Sequence, residues 1–182
     1  MNLEKFLKDF PITKGNKSNP YIILFDAYIG QGKSYVSRLI SKYDNSIILN
    51  NDEVRSWLNN PDDESELYRL QLYRLNGLLK AGNSCILDSC SCIRWNEKKE
   101  YLDKLGYKYY VIRLICKDNT VKERLSNRVN DLNNYSNATY EEYLKMKMNI
   151  KNIDDDLIDY IIDTEKNVEE EIKKFLIKNN LI

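Results

Sequence analysis

Short apolar runs, separated by longer segments of helical periodicity, recur along this 182-residue chain. Nearly continuous apolar runs rich in isoleucine and tyrosine are typical of strands that are covered on both faces. Strands that alternate with helices favour a parallel sheet joined by right-handed crossovers. The sequence therefore predicts an α/β fold with a five-stranded, mostly parallel sheet flanked by helices. The predicted strands span 21–25, 46–50, 84–88, 107–116 and 159–163, and the predicted helices span 33–43, 53–59, 64–81, 94–105, 118–130, 139–152 and 167–179.

The length of the chain favours one domain with a short extension, because 182 residues suffice to bury a core. Residues 1–19 are predicted to form a helix and a polar connector, and residues 20–182 the α/β domain. Two residues mark predicted helix ends. Gly82 follows a long helix in the position of a C-cap glycine, and Asn167 precedes the last helix as an N-cap.

Charge and composition exclude several kinds of chemistry. The 28 basic residues balance 28 acidic ones, so no overall field favours nonspecific binding to a polyanion, although a local basic groove stays open. The chain contains no histidine, which excludes an imidazole base, a Ser-His-Asp triad and a His-ligated metal. The chemistry that remains is that of carboxylates, lysine, arginine, hydroxyls, thiols or a bound metal ion.

The cysteines and the amino terminus favour a reduced, cytoplasmic protein. Cys90 and Cys92 form a C-x-C pair without a second paired half, so a zinc site is disfavoured. Cys85 and Cys116 lie in apolar runs, where a free thiol behaves as a small hydrophobe. The amino terminus has no signal-peptide core, and no apolar run approaches the roughly 20 residues that span a bilayer. We therefore expect no membrane partner.

The stretch AYIGQGKS lies between the first predicted strand and the helix that follows it. It matches the phosphate-loop pattern G-x-x-x-x-G-K-[ST], with alanine in the first glycine position. Glycines let the main chain wrap closely around phosphate oxygens, and the helix amino terminus offers partial positive charge. Lys33 is predicted to bridge the β and γ phosphates of ATP, and the Ser34 hydroxyl to ligate Mg²⁺. The alternative is a turn that contains G-x-G by chance. The predicted nucleotide-binding residues are Ala27, Tyr28, Ile29, Gly30, Gln31, Gly32, Lys33, Ser34 and Tyr35.

Asp52 and Arg55 follow the second predicted strand and lie three residues apart at a helix start, so they share one face. The carboxyl ends of strands form the edge where open α/β sheets bind ligands. Asp52 is predicted to orient the attacking hydroxyl and Arg55 to grip a phosphate. The alternative is that Asn50 and Glu53 form an N-cap pair and that Asp52 only favours the helix dipole.

Asp88 ends the third predicted strand and Ser89 follows it. An acid in this position is predicted to hold Mg²⁺ through water or to bind the acceptor, and Ser89 to donate to a phosphate. The alternative is a plain acid in the turn that ends the strand.

Arg124 and Arg128 lie four residues apart on a predicted helix after the fourth strand. Such a pair can close on the phosphates as part of a small helical lid and neutralise charge in the transition state. The alternative is a solvated helix face, on which Glu123 and Asp131 pair with these arginines.

The order of the motifs AYIGQGKS, NNDEVR, DDES, CILDSC, ERLSNR and DYIIDT resembles the P-loop kinases of the polynucleotide 5'-hydroxyl kinase group over about residues 20–180. The same plan is similar to zeta-toxin-like and small-molecule P-loop kinases. The resemblance implies a three-layer P-loop NTPase fold with a lid, and ATP and Mg²⁺ as cofactors. It implies that Lys33 and Ser34 bind ATP and magnesium and that Asp52 is the general base. It also implies that Arg55, Asp88 and Ser89 contact the acceptor and that Arg128, with Arg124, is the lid arginine.

The leading prediction is a phosphotransferase that moves the γ-phosphoryl group of ATP to a hydroxyl, first of all the 5'-hydroxyl of a polynucleotide. The alternatives are a kinase for a nucleotide, sugar or other metabolite, and a nonenzymatic nucleotide-binding switch. A switch leaves the grouping of Asp52, Arg55 and Asp88 without an explanation.

Overall fold

A five-stranded sheet forms the centre of the computed structural model, which describes residues 3–59, 64–127 and 138–182. The strands lie in the order β2-β3-β1-β4-β5, and all four strand pairings are parallel. This confirms the predicted α/β fold with a parallel sheet. The strands are β1 (Tyr21–Asp26), β2 (Ile47–Asn50), β3 (Cys85–Cys90), β4 (Lys108–Ile115) and β5 (Tyr160–Asp163).

Helices connect the strands and cover both faces of the sheet. Every predicted helix is present, and most boundaries lie within two residues of the predicted ones. None of the helices in the described ranges is long and apolar enough to cross a membrane. The helices are α1 (Leu3–Asp9), α2 (Lys33–Asp44), α3 (Asn51–Trp57), α4 (Ser65–Lys80), α5 (Trp95–Leu105), α6 (Asp118–Asn127), α7 (Tyr140–Asn149) and α8 (Val168–Lys178).

The alternation of side chains along β1 divides the core into two layers. Because successive side chains of a strand point to opposite faces, Ile23 and Phe25 pack with residues of α2 and α8, whereas Ile22 and Leu24 pack with residues of α4 and α5. All six residues of β1 are buried, as expected for a central strand. The three layers of helix, sheet and helix are therefore those expected from the sequence.

Helix ends follow their local capping chemistry. The side chain of Asn50 accepts hydrogen bonds from the amides of Asp52 and Glu53, so α3 begins at Asn51, two residues before the predicted start. Gly82 has a φ of 84° directly after the α4 C-cap, and the Asn167 side chain caps α8. The prediction for α7 was too long, because Ile150 is already extended and Ile153 is buried in the core.

The amino-terminal segment lies against α3 and α4. Phe6 and Phe10 pack with Val54 of α3 and with Leu67 and Leu70 of α4. The connector that follows is hydrogen-bonded through its main chain to residues just after α4. The proposed division into residues 1–19 and residues 20–182 stays a prediction.

A buried ion pair fixes the end of β1, from which the phosphate loop departs. Arg113 in β4 donates from Nε to an Asp26 carboxylate oxygen at 2.6 Å, and it also contacts the Asp155 carboxylate and the Ile153 carbonyl. Burial raises the pKa of Asp26, and the hydrogen bond from Arg113 opposes that rise. These contacts give Arg113 a structural role at the end of β1.

Replacing Arg113 with methionine is expected to lower the free energy of unfolding by about 3 kcal/mol at pH 7, because Asp26 stays buried without its counter-charge. The folded-state pKa of Asp26 then rises further above its unfolded value, so this penalty applies when the carboxyl is ionised and disappears as the pH falls below about 4. Urea unfolding of the wild type and the variant, at pH 7 and at a pH below about 4, measures the difference in the free energy of unfolding. The double variant Arg113→Met/Asp26→Asn is the control and should recover stability at pH 7. An equal deficit at both pH values would contradict the ion-pair explanation.

Candidate active site

The phosphate loop occupies residues 27–32, between β1 and α2. Gly30 and Gly32 have φ values of 79° and 96°, in the left-handed region that favours glycine. A side chain at Gly30 would place its Cβ 2.7 Å from Val121 Cγ1, so α6 packs directly on the loop. Ala27 has no such positive φ, which explains why alanine is tolerated in the first position of the pattern. The Gln31 side chain closes the loop by accepting a hydrogen bond from the Tyr28 amide at 2.6 Å.

Lys33 and Ser34 begin α2 at the end of this loop. The Lys33 ammonium group donates to the Tyr28 carbonyl at 2.8 Å, so it lies across the loop that a nucleotide would occupy. As the first residues of the helix, Lys33 and Ser34 have main-chain amides without an intrahelical acceptor, and such amides bind anions. Loop, ammonium group and helix start together form a cradle suited to a triphosphate.

Asp88 lies near the end of β3, opposite Asn50 of β2 in the parallel register. One carboxylate oxygen accepts from the Asn50 amide at 3.3 Å, and the other is buried without a hydrogen-bond partner among the described residues. Burial raises the pKa of Asp88, and the opposing effects of Lys33 and Ser34 show that these residues are its neighbours. A hard cation would satisfy the orphaned oxygen, so Asp88 and Ser34 fit a magnesium site completed by nucleotide oxygens.

Asp52 and Arg55 share one face of α3, as the sequence predicts, and form an ion pair. Arg55 also donates to Glu64 at 2.6 Å, and Glu64 accepts from the Tyr68 hydroxyl at 3.1 Å. The Asn50 side chain bonds both Asp88 and the main-chain amide of Asp52, so the two acidic residues lie at neighbouring strand ends. The alternative, capping by Asn50, is present as well, but it uses only the main-chain amide of Asp52 and leaves the carboxylate available for chemistry.

Of the two predicted lid arginines, the structure describes Arg124. Arg124 of α6 donates to both the hydroxyl and the carbonyl of Thr164, directly after β5. Its guanidinium group also borders the loop at Gly32, because a Cβ built there would lie 3.6 Å from one of its nitrogens. This position lies beside the predicted nucleotide site. Arg128 lies outside the described residues, so its predicted role stays a prediction.

A cavity of about 370 Å³ opens beside these residues, between α4 and α5. This volume is in the range of pockets that hold small molecules. Ser89 and Tyr68 line it, so it adjoins both Asp88 in β3 and the chain of hydrogen bonds that leads to Arg55. Six aliphatic side chains contribute to its apolar wall: Leu49, Leu72, Leu75, Leu87, Ile93 and Leu102.

Several residues of this site were not recognised in the sequence. Glu64, which belongs to the DDES motif, and Tyr68 of α4 hold Arg55 in place, but the sequence assigned neither of them a role. Lys98 of α5 lines the cavity, and its position on the helix could have identified it from the sequence. It lies three residues after Trp95 and four before Leu102, on the apolar face of the helix, where a lysine is unusual.

Comparison with known proteins identifies the fold. No protein-family model and no curated protein sequence matches the chain. The solved structure of the APS kinase of Mycobacterium tuberculosis, in complex with AMPPNP and APS, is similar with a TM-score of 0.62 and 14% identity, over 89% of this chain and 98% of that one. Shikimate kinase from Acinetobacter baumannii, in complex with shikimate, gives a TM-score of 0.58 and 18% identity over 90% and 96% of the two chains. The tunicamycin resistance protein of Deinococcus radiodurans is similar with a TM-score of 0.60 and 18% identity, over 90% of this chain and 97% of that one. The chain therefore has the fold of P-loop kinases.

Proposed function

We propose that this protein is an ATP- and Mg²⁺-dependent phosphotransferase that moves the γ-phosphoryl group to a hydroxyl of a small molecule. The observation that carries the proposal is the position of the phosphate loop beside two carboxylates, Asp88 and Asp52, next to a cavity of small-molecule size. The similarity in fold to an APS kinase and a shikimate kinase supports the same class of reaction.

The donor half of the proposed reaction uses the loop and α2. Loop amides and the Lys33 ammonium group would neutralise the β and γ phosphates. Mg²⁺ between Ser34 and Asp88 would supply further charge neutralisation, and the orphaned oxygen of Asp88 supports that assignment. Because the transition state of phosphoryl transfer is loose, positioning and charge neutralisation account for most of the catalysis.

The acceptor half uses the first turn of α3. The Asp52 carboxylate would accept a hydrogen bond from the incoming hydroxyl and orient its oxygen toward the γ-phosphorus. Arg55, held between Asp52 and Glu64, would keep that carboxylate in position and lie near the transferred group. The acceptor would then extend from Asp52 and Ser89 into the cavity.

The 5'-hydroxyl of a polynucleotide, which the resemblance in sequence implies, is the second candidate acceptor. A nucleic-acid strand needs a basic groove along its phosphates. The surface of the cavity is mainly apolar, and among the described residues only Arg94, Glu97 and Lys98 bring charges to it. This lining favours a compact acceptor over a long polyanion.

Transfer from [γ-³²P]ATP to a panel of metabolites and to 5'-hydroxyl DNA and RNA oligonucleotides tests the proposal. We expect a labelled small molecule and unlabelled oligonucleotides. Labelled oligonucleotide ends would establish the polynucleotide kinase instead. ATP hydrolysis that no acceptor changes and that does not require Asp52 would favour a nucleotide-binding switch.

A further inference from the structure

Lys98 places a positive charge at the wall of the acceptor cavity without an opposite charge to balance it. Its ammonium group donates one hydrogen bond, to the Cys90 carbonyl at 3.0 Å, and forms no ion pair within the described ranges. Burial lowers the pKa of Lys98, because removal from water penalises its charged form. Lys98 is half-buried, and cations withdrawn from water are normally paired, so this position suits an anionic partner.

The other charges of the cavity do not supply that partner. Arg94 and Glu97 also line it, but they bind each other through two hydrogen bonds across one helical turn. Arg94, the N-cap of α5, has a left-handed backbone conformation with a φ of 54°, which residues other than glycine and asparagine rarely adopt. With Arg94 and Glu97 neutralising each other, the cavity keeps the single positive charge of Lys98.

The position of Lys98 relative to the reacting groups is set by β3. The carbonyl that it binds belongs to Cys90, the last residue of β3, two residues after Asp88. Two residues of strand span roughly 7 Å. Ser89 lines the same cavity between these two residues. Lys98 therefore lies at the same end of β3 as Asp88, and Ser89 joins that end of the strand to the cavity.

We infer that the acceptor, within the proposed kinase function, carries an anionic oxygen group, a carboxylate, sulfate or phosphate, and that Lys98 binds this group at the wall of the cavity. An anion at this position would offset the cost of burying the ammonium group and form a charge-assisted hydrogen bond in a site partly shielded from water. The aliphatic walls would cover the carbon skeleton of the acceptor. The acceptor class is thus a small hydroxy acid or a phosphorylated or sulfated alcohol.

Matched pairs of acceptors that differ by one anionic group test the inference, for example gluconate with glucose and a nucleoside 3'-monophosphate with its nucleoside. The wild-type protein should phosphorylate the anionic member of a pair with the higher kcat/KM. Lys98→Gln should raise KM for that acceptor about ten- to hundredfold and leave kcat nearly unchanged, because the group binds the acceptor away from the reacting atoms. Lys98→Arg should restore much of the affinity. The control is Lys99→Gln, because Lys99 is the next residue of α5 and pairs with Asp103 instead.

A second measurement uses inorganic sulfate as the probe and needs no turnover. With the phosphate loop saturated by AMPPNP and magnesium, sulfate at constant ionic strength should raise the Tm of the wild type and of Lys99→Gln in a saturable way, but not that of Lys98→Gln. An equal response in all three proteins, or equal KM values for both members of every pair, would overturn the inference. Failure of the kinase proposal itself has a different signature, which is nucleotide binding without transfer to any acceptor.

Discussion

Lys33→Met is expected to lower the rate of phosphoryl transfer by about 10³-fold or more, the size of effect seen when a charge-stabilising group is removed from a phosphoryl-transfer site. Methionine keeps an unbranched side chain of similar shape and removes the ammonium group that would follow the γ-phosphate into the transition state. Among the described residues this group makes a single hydrogen bond, to the Tyr28 carbonyl, so the fold should tolerate its loss. Single-turnover transfer from [γ-³²P]ATP, with the Tm measured in parallel, checks both expectations.

Lys42→Met is the matched control, since Lys42 is an exposed lysine in the last turn of the same helix. It should transfer phosphate at the wild-type rate. A Lys33→Met protein with normal Tm and normal transfer would show that the loop is not the phosphate cradle of this enzyme. A loss of Tm together with activity would instead assign Lys33 to the fold.

Asp52→Asn is expected to reduce kcat about 10²- to 10³-fold and to leave the affinity for ATP unchanged, because the carboxylate acts on the acceptor hydroxyl. The amide has the same size as the carboxylate. The cap of α3 depends on the Asn50 side chain and the Asp52 main chain, and Arg55 keeps its bond to Glu64, so the helix should remain in place. Kinetics with saturating acceptor, combined with titration of a fluorescent ATP analogue, separate chemistry from donor binding.

Glu53→Gln provides the control in the same helical turn, because Glu53 is exposed and forms no ion pair among the described residues. Wild-type kcat is expected for this variant. If Asp52→Asn and Glu53→Gln were equally active, the assignment of Asp52 as the base would have to be abandoned.

The phosphate loop and the order of the elements could be predicted because both depend on local sequence. Gly30 and Gly32 have positive φ values that glycine adopts at no cost, and the helix that follows starts at the predicted Lys33. The same holds for the ion pair of Asp52 with Arg55, since residues three apart on a helix are neighbours in any fold.

The acceptor cavity could not be predicted because it forms between elements far apart in sequence. Glu64 reaches Arg55 from the start of α4, and Lys98 comes from a helix that only tertiary packing places beside α4. The pairing of Asp88 with Asn50 depends on the register between β2 and β3. No local pattern encodes such contacts, which is why the sequence alone could not decide between a polynucleotide and a small-molecule acceptor.

Gly30 of the phosphate loop packs against Val121 of α6 so closely that no methyl group would fit between them. When a nucleotide is bound to the loop, local unfolding of α6 that breaks this contact also weakens nucleotide binding. Such unfolding therefore costs additional free energy. Main-chain amides of α6 should therefore exchange their hydrogens more slowly when ATP is bound, although the helix lies outside the loop itself. Affinity for the donor and local stability of α6 are two measures of one coupled equilibrium.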